Sequence, residues 1–545
     1  MIDVNKTIYE NFRAVALVRG LSTAAYYEGR KLSYSDLLEL SNKFAEYYFS
    51  LGLSKDDVIT IVAPNTPESV AAFLGASQAG IKVHLLHPLV SQENILKEFH
   101  EKNSKLLVTV SLFIRFYDKL LSKNIPMLVL DFTNSLSCFK KVAFYLINRK
   151  KLAAYRARKD LPRFRKICKK RADNEIHYNS KTGRILLSSG GTTGKSKTIV
   201  LSDFALLSVI ETGLWIINAK ESEMVNKTML AALPMFHGFG LAMGVLTMLL
   251  YGGKIALLPT FRTNKVIELL KKKQLNLLIG VPALYEALLK NKHFKGKLLE
   301  PIRECFIGGD FISPSLIERF NARLKEGDSK GKLLEGYGLT EAVAVLSVNR
   351  LFDNKTGSVG KPLPCVKVKI INEKNEEAKR GKKGEIIVSG ESMMNGYFKE
   401  NNSFCYIDNE PWIKTGDIGY IDEDNFLHFV SRKKRIIKKK GINIYPVAIE
   451  KFVSSLPYVE ECAYLGEKHK EKDYTALFIT MKDGTSFETI KENLLASLKE
   501  ELNTYEIPDF IFTNVQFKHT NVGKIDYISL SDEFQKTLKE EMITL

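Results

Sequence analysis

Between residues 31 and 141, helix-like stretches (34–51, 66–79 and 91–103) alternate with short apolar runs (58–63, 82–86, 106–110 and 127–130). Alternation of this kind signals βαβ units and a parallel sheet. A second series of the same character runs from residue 185 to about 348. Residues 359–430 read differently, as short strands with turns at Gly381, Gly384, Gly390 and Gly416. The segment Ser431-Arg432-Lys433-Lys434-Arg435 is charged and poor in apolar residues, as linkers are, and helix and strand signals resume beyond it. The expected fold class is α/β: a large N-terminal domain of βαβ-type sheets with a small β-rich subdomain, then a smaller α+β C-terminal domain.

At 545 residues the chain exceeds what one core organises. Its 45% hydrophobic and 26% charged content is that of a soluble globular protein. The cysteines at 138, 168, 305, 365, 405 and 462 form no C-x-x-C pair, which argues against a disulfide framework and a zinc site and leaves reduced packing residues. The opening Met1-Ile2-Asp3-Val4-Asn5-Lys6 lacks the basic-then-apolar order of a signal peptide, so a cytoplasmic location is expected. An uncharged run at 228–253 is long enough to span a membrane. Pro234, His237 and several glycines interrupt it, and a buried helix behind the 236–237 turn is the better reading.

Chemistry is concentrated at Leu187-Ser188-Ser189-Gly190-Gly191-Thr192-Thr193-Gly194-Lys195-Ser196-Lys197. Small residues let backbone N–H groups and hydroxyls close round phosphate oxygens, and lysines compensate the charge. The pattern misses a Walker A loop by one residue, because glycine would be needed at Ser189. Such loops also occur as plain turns, so the segment alone does not decide the matter.

Further segments follow in order: Leu233-Pro234-Met235-Phe236-His237-Gly238, Gly308-Gly309-Asp310, Glu335-Gly336-Tyr337-Gly338-Leu339-Thr340-Glu341, Lys414-Thr415-Gly416-Asp417, a block from Ser431 to Glu450, and Asn521-Val522-Gly523-Lys524-Ile525-Asp526. From about Leu32 to the end the series resembles the acyl-adenylate-forming superfamily of acyl-CoA synthetases, peptide-synthetase adenylation domains and luciferases. The resemblance implies a large AMP-binding domain (1–431), a hinge (432–435) and a mobile C-terminal domain (436–545).

It also implies an enzyme that activates a carboxylic acid with ATP and Mg²⁺. Both reactants are anions, so the site must gather cations and donors. By resemblance Lys524 bridges the substrate carboxylate and the α-phosphate, Thr340 donates to that phosphate, and Glu341 holds the metal. Thr192, Thr193, Gly194 and Lys197 hold phosphates, and Asp417 accepts the ribose hydroxyls with Arg432 nearby. Tyr337, between Gly336 and Gly338, lies against adenine. Gly308 and Gly309 form the wall between adenine and acyl pocket, and Asp310 and Glu335 complete the nucleotide set. His237 stands where the acyl and ATP sites join.

The stretch Lys438-Lys439-Lys440-Gly441 resembles the CoA segment of acyl-CoA ligases, with Lys439 and Lys440 meeting phosphates and Gly441 letting pantetheine pass. CoA is thus favoured as acceptor, and a separate acyl carrier protein stays open. Phe236, Phe239, Gly240 and Gly308 suggest an apolar acyl pocket suited to a fatty acid or an aryl acid. Ser196, Thr198, Arg435, Ala448 and Tyr527 depart from the family pattern: Arg435 replaces an aspartate or lysine, and Tyr527 an arginine. A catalytically inert scaffold is the non-enzymatic alternative, opposed by the joint retention of Lys524, Glu341, Thr340 and Asp417.

Of a net charge of +18, residues 137–171 carry +13, with fourteen Lys/Arg against Asp160. A solvated helical insertion, an anionic-membrane helix and a nucleic-acid patch all fit such a segment. Apolar residues interleaved at helical spacing, among them Phe139, Val142, Leu146 and Tyr155, favour membrane over nucleic acid.

Overall fold

A computed structural model describes residues 2–136, 138–162, 176–188, 197–310, 312–400, 403–439, 442–470, 472–482, 485–513, 515–519 and 525–541. Two large sheets dominate. One has seven strands in the order Gly396–Tyr397, Thr198–Ser202, Gly183–Ser188, Lys82–Leu85, Val58–Val62, Ser104–Val110, Met127–Leu130, parallel from Gly183–Ser188 onward. The other has nine, with Lys332–Tyr337, Glu304–Ile307, Leu277–Gly280, Thr228–Ala231, Lys254–Leu257 and Thr23–Tyr27 parallel and short antiparallel strands at both edges.

One apolar core joins the two sheets, and helix Pro67–Gln78 lies within it, buried at every residue. Its stretch from Val70 to Ala76 is wholly apolar or small, which suits such a place. Its start is set by Thr66, which exchanges hydrogen bonds with Ser69 in a capping box, followed by Pro67 at the first helical position. Gly75 lets helix Tyr34–Ser50 close in, because a Cβ there would stand 2.6 Å from the Ser41 carbonyl oxygen.

The β-rich expectation for 359–430 is met by an antiparallel sheet of Val366–Ile371, Gly384–Gly390, Glu410–Ile421, Cys405–Ile407 and Leu427–Arg432. Three of the four expected turn glycines instead lie in strands. Gly384 and Gly390 end one, and Gly416, with φ of +70°, kinks the strand Glu410–Ile421 just before Asp417. The smaller C-terminal domain packs helices Pro446–Ser455, Phe487–Glu501 and Tyr527–Glu541 on the strands Val459–His469, Lys472–Met481 and Phe510–Thr513.

The run 228–253 forms strand Thr228–Ala231, a wide-turned π-helix Phe239–Leu246 and helix Thr247–Leu250, nearly all buried. No helix among the described residues is long and apolar enough to cross a membrane. In the basic segment, helices Cys138–Ile147 and Ala153–Ala157 form. Leu152, Tyr155 and Leu161 are buried, whereas Val142, Leu146 and Ile147 are 60, 71 and 80% exposed. Cys305, Cys365 and Cys462 are free and buried, and Cys405 is free and half-buried.

Candidate active site

The candidate residues gather where parallel strands of the nine-stranded sheet end, the place where open α/β sheets leave a ligand crevice. Gly308, Gly309 and Asp310 follow strand Glu304–Ile307, whose Ile307 pairs with Glu335 on the neighbouring strand Lys332–Tyr337. A Cβ on Gly308 would lie 2.9 Å from the Gly336 carbonyl oxygen, so the turn after Ile307 lies against the backbone of strand Lys332–Tyr337. Gly309 turns with φ of +83°, a conformation that favours glycine.

The Tyr337 hydroxyl donates to Asp417 Oδ2 at 2.6 Å. Asp417 pairs in register with Arg432 across the small sheet, and Arg432 Nε stands 3.0 Å from Oδ1. That contact is an ion pair without hydrogen-bond alignment, so the buried Oδ1 has no aligned donor among the described residues. Burial raises the Asp417 pKa, against the pull of Arg432 and the Tyr337 hydroxyl. A buried carboxylate oxygen lacking a donor fits a sugar hydroxyl. The Tyr337 ring faces Phe429 at 5.8 Å between centroids.

Glu341 lies in the single turn Thr340–Ala342. Its Oε1 accepts from the Tyr397 hydroxyl at 3.0 Å, and its carbonyl accepts from Met394 N at 2.8 Å. Lys197 lies over the same Tyr397 ring at 4.4 Å and pairs with Glu400 at 2.8 Å. Tyr397 thus stands between the phosphate-loop lysine and the candidate metal carboxylate. Among the described residues no three His, Cys, Asp or Glu cluster as a metal site. A single carboxylate fits magnesium, which is held chiefly by phosphate oxygens and water.

Val343 follows with φ of +66°, strained for a β-branched residue. Its carbonyl fills the space beside Gly238, where a Cβ would come within 1.6 Å. The 233–238 turn and the 340–343 turn are thereby locked together. Phe236 is buried and packs its ring at 4.6 Å from both His87 and His237. Burial lowers the His87 pKa, so its neutral form prevails at neutral pH. Asn65 holds this turn, donating to the Ala231 and Leu233 carbonyls at 3.1 and 2.8 Å and accepting from Met235 N at 3.0 Å.

The space beside Gly240 is taken by the Leu233 and Pro234 carbonyls, so its lack of a side chain lets the turn close. Lys439, expected to meet CoA phosphates, binds Asp509 at 2.7 Å and Thr475 at 3.0 Å inside the C-terminal domain. Strand alternation explains this: in Ile437–Lys439 the outer residues turn inward and Lys438 turns to solvent. Thr192, Thr193, Gly194, Lys440, Gly441 and Lys524 lie outside the described residues. Glu335 is crowded by protein, which pushes its carboxyl up to about 7 despite the nearby Lys451 charge from the C-terminal domain. Asn65, His87 and Tyr397 carry no local sequence signal, because their partners lie far along the chain.

A sequence profile of the AMP-binding enzymes matches residues 12–398, and one of the AMP-binding enzyme C-terminal domain matches 448–524. The chain is 28% identical over 515 residues to a long-chain-fatty-acid–CoA ligase of Bacillus subtilis, covering 92% of this chain and 90% of that one. The fold superposes with a TM-score of 0.80 on ATP-bound MatB from Rhodopseudomonas palustris (21% identity; 97 and 99% of the chains). A benzoate CoA ligase from Burkholderia xenovorans gives 0.82 (20% identity; 96 and 99%). The chain belongs to the AMP-binding enzymes of the acyl-adenylate-forming superfamily.

Proposed function

We propose that this protein is an AMP-forming acid–thiol ligase acting on a fatty acid. A carboxylate oxygen attacks the α-phosphorus of ATP and pyrophosphate leaves, giving acyl-AMP. The CoA thiol, losing its proton, then attacks the acyl carbonyl and AMP departs, leaving the thioester. The observation that carries this reading is the buried Asp417 carboxylate, with Tyr337 on one oxygen and the other without an aligned donor, within electrostatic reach of Glu341.

In this reading Asp417 and Arg432 take the ribose, and Tyr337, with Gly309, Asp310, Glu335, Gly336 and Gly338 around it, takes the adenine. Thr340 and Lys524 meet the α-phosphate, and Lys197 with the loop 192–194 meets the outer phosphates. Glu341 would hold Mg²⁺, which supplies charge neutralisation to the phosphates. Phe236, Phe239, His237 and Gly308 border the acyl group. The division into 1–431, a hinge at 432–435 and a swinging 436–545 belongs to the same proposal.

Fatty acid is preferred because relatives along nearly the whole chain carry that name and the 236–246 segment is apolar. Aryl acids are the competing class, since similar folds include a benzoate ligase. CoA is preferred over a carrier protein on the Lys438 to Gly441 segment. Pyrophosphate exchange over a panel of acids, followed by CoA addition, tests each choice. Exchange without thioester would favour a carrier protein, and exchange with no acid would leave the scaffold.

A peripheral contact with anionic membrane through 137–171 completes the proposal. Val142, Leu146 and Ile147 project on helix Cys138–Ile147 among Lys141, Arg149, Lys150 and Lys151. Basic residues near an anionic leaflet contribute about 1 kcal/mol each. The substitution Leu146→Glu should weaken co-sedimentation with phosphatidylserine vesicles and leave turnover of a soluble acid unchanged. Equal sedimentation would remove this contact.

A further inference from the structure

Two opposite charges of the site meet the same side chain, Tyr397. Its hydroxyl donates to Glu341 Oε1 at 3.0 Å, and Lys197 Nζ lies over its ring, 4.4 Å from the centre. Lys197 turns on to Glu400, at 2.8 Å. The lysine thus uses the face of the phenol and the carboxylate its polar tip.

The backbone holds Tyr397 firmly in that place. Strand Gly396–Tyr397 pairs with Thr198–Ser202, which begins directly after Lys197, and sets Tyr397 opposite Ile199. Phe398 N donates to the Thr198 carbonyl and Met394 N to the Glu341 carbonyl, both at 2.8 Å, so the segment is stitched to the strand after the phosphate loop and to the 340–342 turn. The end of helix Gln92–Glu101 anchors the residues that follow. Lys102, 5% exposed, lies 5.0 Å from the centre of the Phe398 ring and pairs with Glu98 at 3.1 Å, and Lys399 Nζ donates to the Glu101 carbonyl at 3.1 Å.

The chemistry of these contacts differs from that of an ion pair. A carboxylate that accepts from a neutral hydroxyl keeps its charge and the lone pairs of its second oxygen, and partners of this kind orient metal-binding groups. A ring face attracts an ammonium without cancelling its charge. Paired directly, Lys197 and Glu341 would neutralise one another, and neither would serve a phosphate or a metal ion.

We propose that Tyr397 is a positioning residue for the phosphate end of the site: its hydroxyl fixes one oxygen of Glu341 and leaves the other for Mg²⁺, while its ring keeps Lys197 from closing on that carboxylate. This rests on the reading of Glu341 and Lys197 given above, and its signature is a separation of metal binding from nucleotide binding.

The test titrates Mn²⁺, a spectroscopic probe of the magnesium position, into the protein's complex with α,β-methylene-ATP, which cannot release pyrophosphate, and follows free Mn²⁺ by electron paramagnetic resonance. Tyr397→Phe keeps the ring and loses the hydroxyl, a change small enough to protect folding, whereas Tyr397→Leu loses both. Each should weaken Mn²⁺ binding at least about tenfold, the range for losing a partner that orients a metal-binding group. Without metal, Tyr397→Phe should bind the nucleotide within about twofold of wild type, and Tyr397→Leu, in which Lys197 reaches Glu341, at least about threefold more weakly. In ATP–pyrophosphate exchange the loss in Tyr397→Phe should be recovered by raising Mg²⁺, which a folding defect would not allow. Wild-type Mn²⁺ affinity in Tyr397→Phe, wild-type nucleotide affinity in Tyr397→Leu, or an exchange defect that Mg²⁺ does not recover would overturn the proposal. A wild-type protein that binds no nucleotide would instead defeat the proposed function.

Discussion

The Tyr337 hydroxyl and the Asp417 carboxylate, 80 residues apart in sequence, share a 2.6 Å hydrogen bond that leaves the other carboxylate oxygen, Oδ1, facing Arg432 without an aligned donor. A ribose hydroxyl would supply that donor. Asp417→Asn halves the acceptor capacity and removes the charge, so kcat/KM for ATP should fall about tenfold to a hundredfold, the range for a hydrogen bond to a charged group. Tyr337→Phe should cost about tenfold or less. Exchange rates measured across ATP concentrations check both, and an unchanged Asp417→Asn would remove the ribose role.

Asn65 makes three hydrogen bonds, two of them buried, to the segment that leads into and forms the turn bearing Phe236 and His237. Asn65→Ala removes the amide from the Leu233 carbonyl and the Met235 N–H, while the Ala231 carbonyl keeps Leu258 N at 3.3 Å, and stability should drop by about 1–3 kcal/mol. The slackened turn should also raise KM for the acid. Urea unfolding with parallel kinetics measures both effects, and a wild-type midpoint would show that the turn holds itself.

Gly238 leaves no room for a methyl group, since a Cβ would come within 1.6 Å of the Val343 carbonyl oxygen. Gly238→Ala must therefore displace the turn that carries Thr340 and Glu341. Adenylation should fall about a hundredfold, as misplacing reacting groups by about 1 Å is costly. Stopped exchange assays with circular dichroism separate this from global unfolding. Retained activity would show that the two turns move independently.

Glu68 is buried at the start of helix Pro67–Gln78, where desolvation pushes its carboxyl up to about 7 although Ser135 donates to it at 2.6 Å. Its folded-state pKa lies above the unfolded one, so the native state binds the proton more tightly. That stabilisation is present at low pH and is lost as pH rises through about 7. Glu68→Gln keeps the shape and removes the titration. The fall in thermal midpoint between pH 5.5 and 8 should be smaller in the variant than in wild type, and parallel curves would contradict the assignment.

Much of this architecture was legible in the chain. The strands Val58–Val62, Ser104–Val110 and Met127–Leu130 are apolar runs between helical signals, and their burial on a parallel sheet follows from that pattern. Site residues within contiguous segments, such as Tyr337 to Glu341, were legible for the same local reason. Asn65 and Tyr397 were not, because their partners lie far along the chain and only tertiary packing delivers them. The Lys439–Asp509 pair was not legible, because motif spacing does not tell which face of a short strand meets solvent.

The most direct measurement is ATP–pyrophosphate exchange driven by hexadecanoic acid, in the wild-type protein and in Lys524→Ala. The expected result is acid-dependent exchange in the wild type and at least about a hundredfold less in the variant. Exchange undiminished by loss of the Lys524 ammonium, or none with any carboxylic acid, would contradict the account.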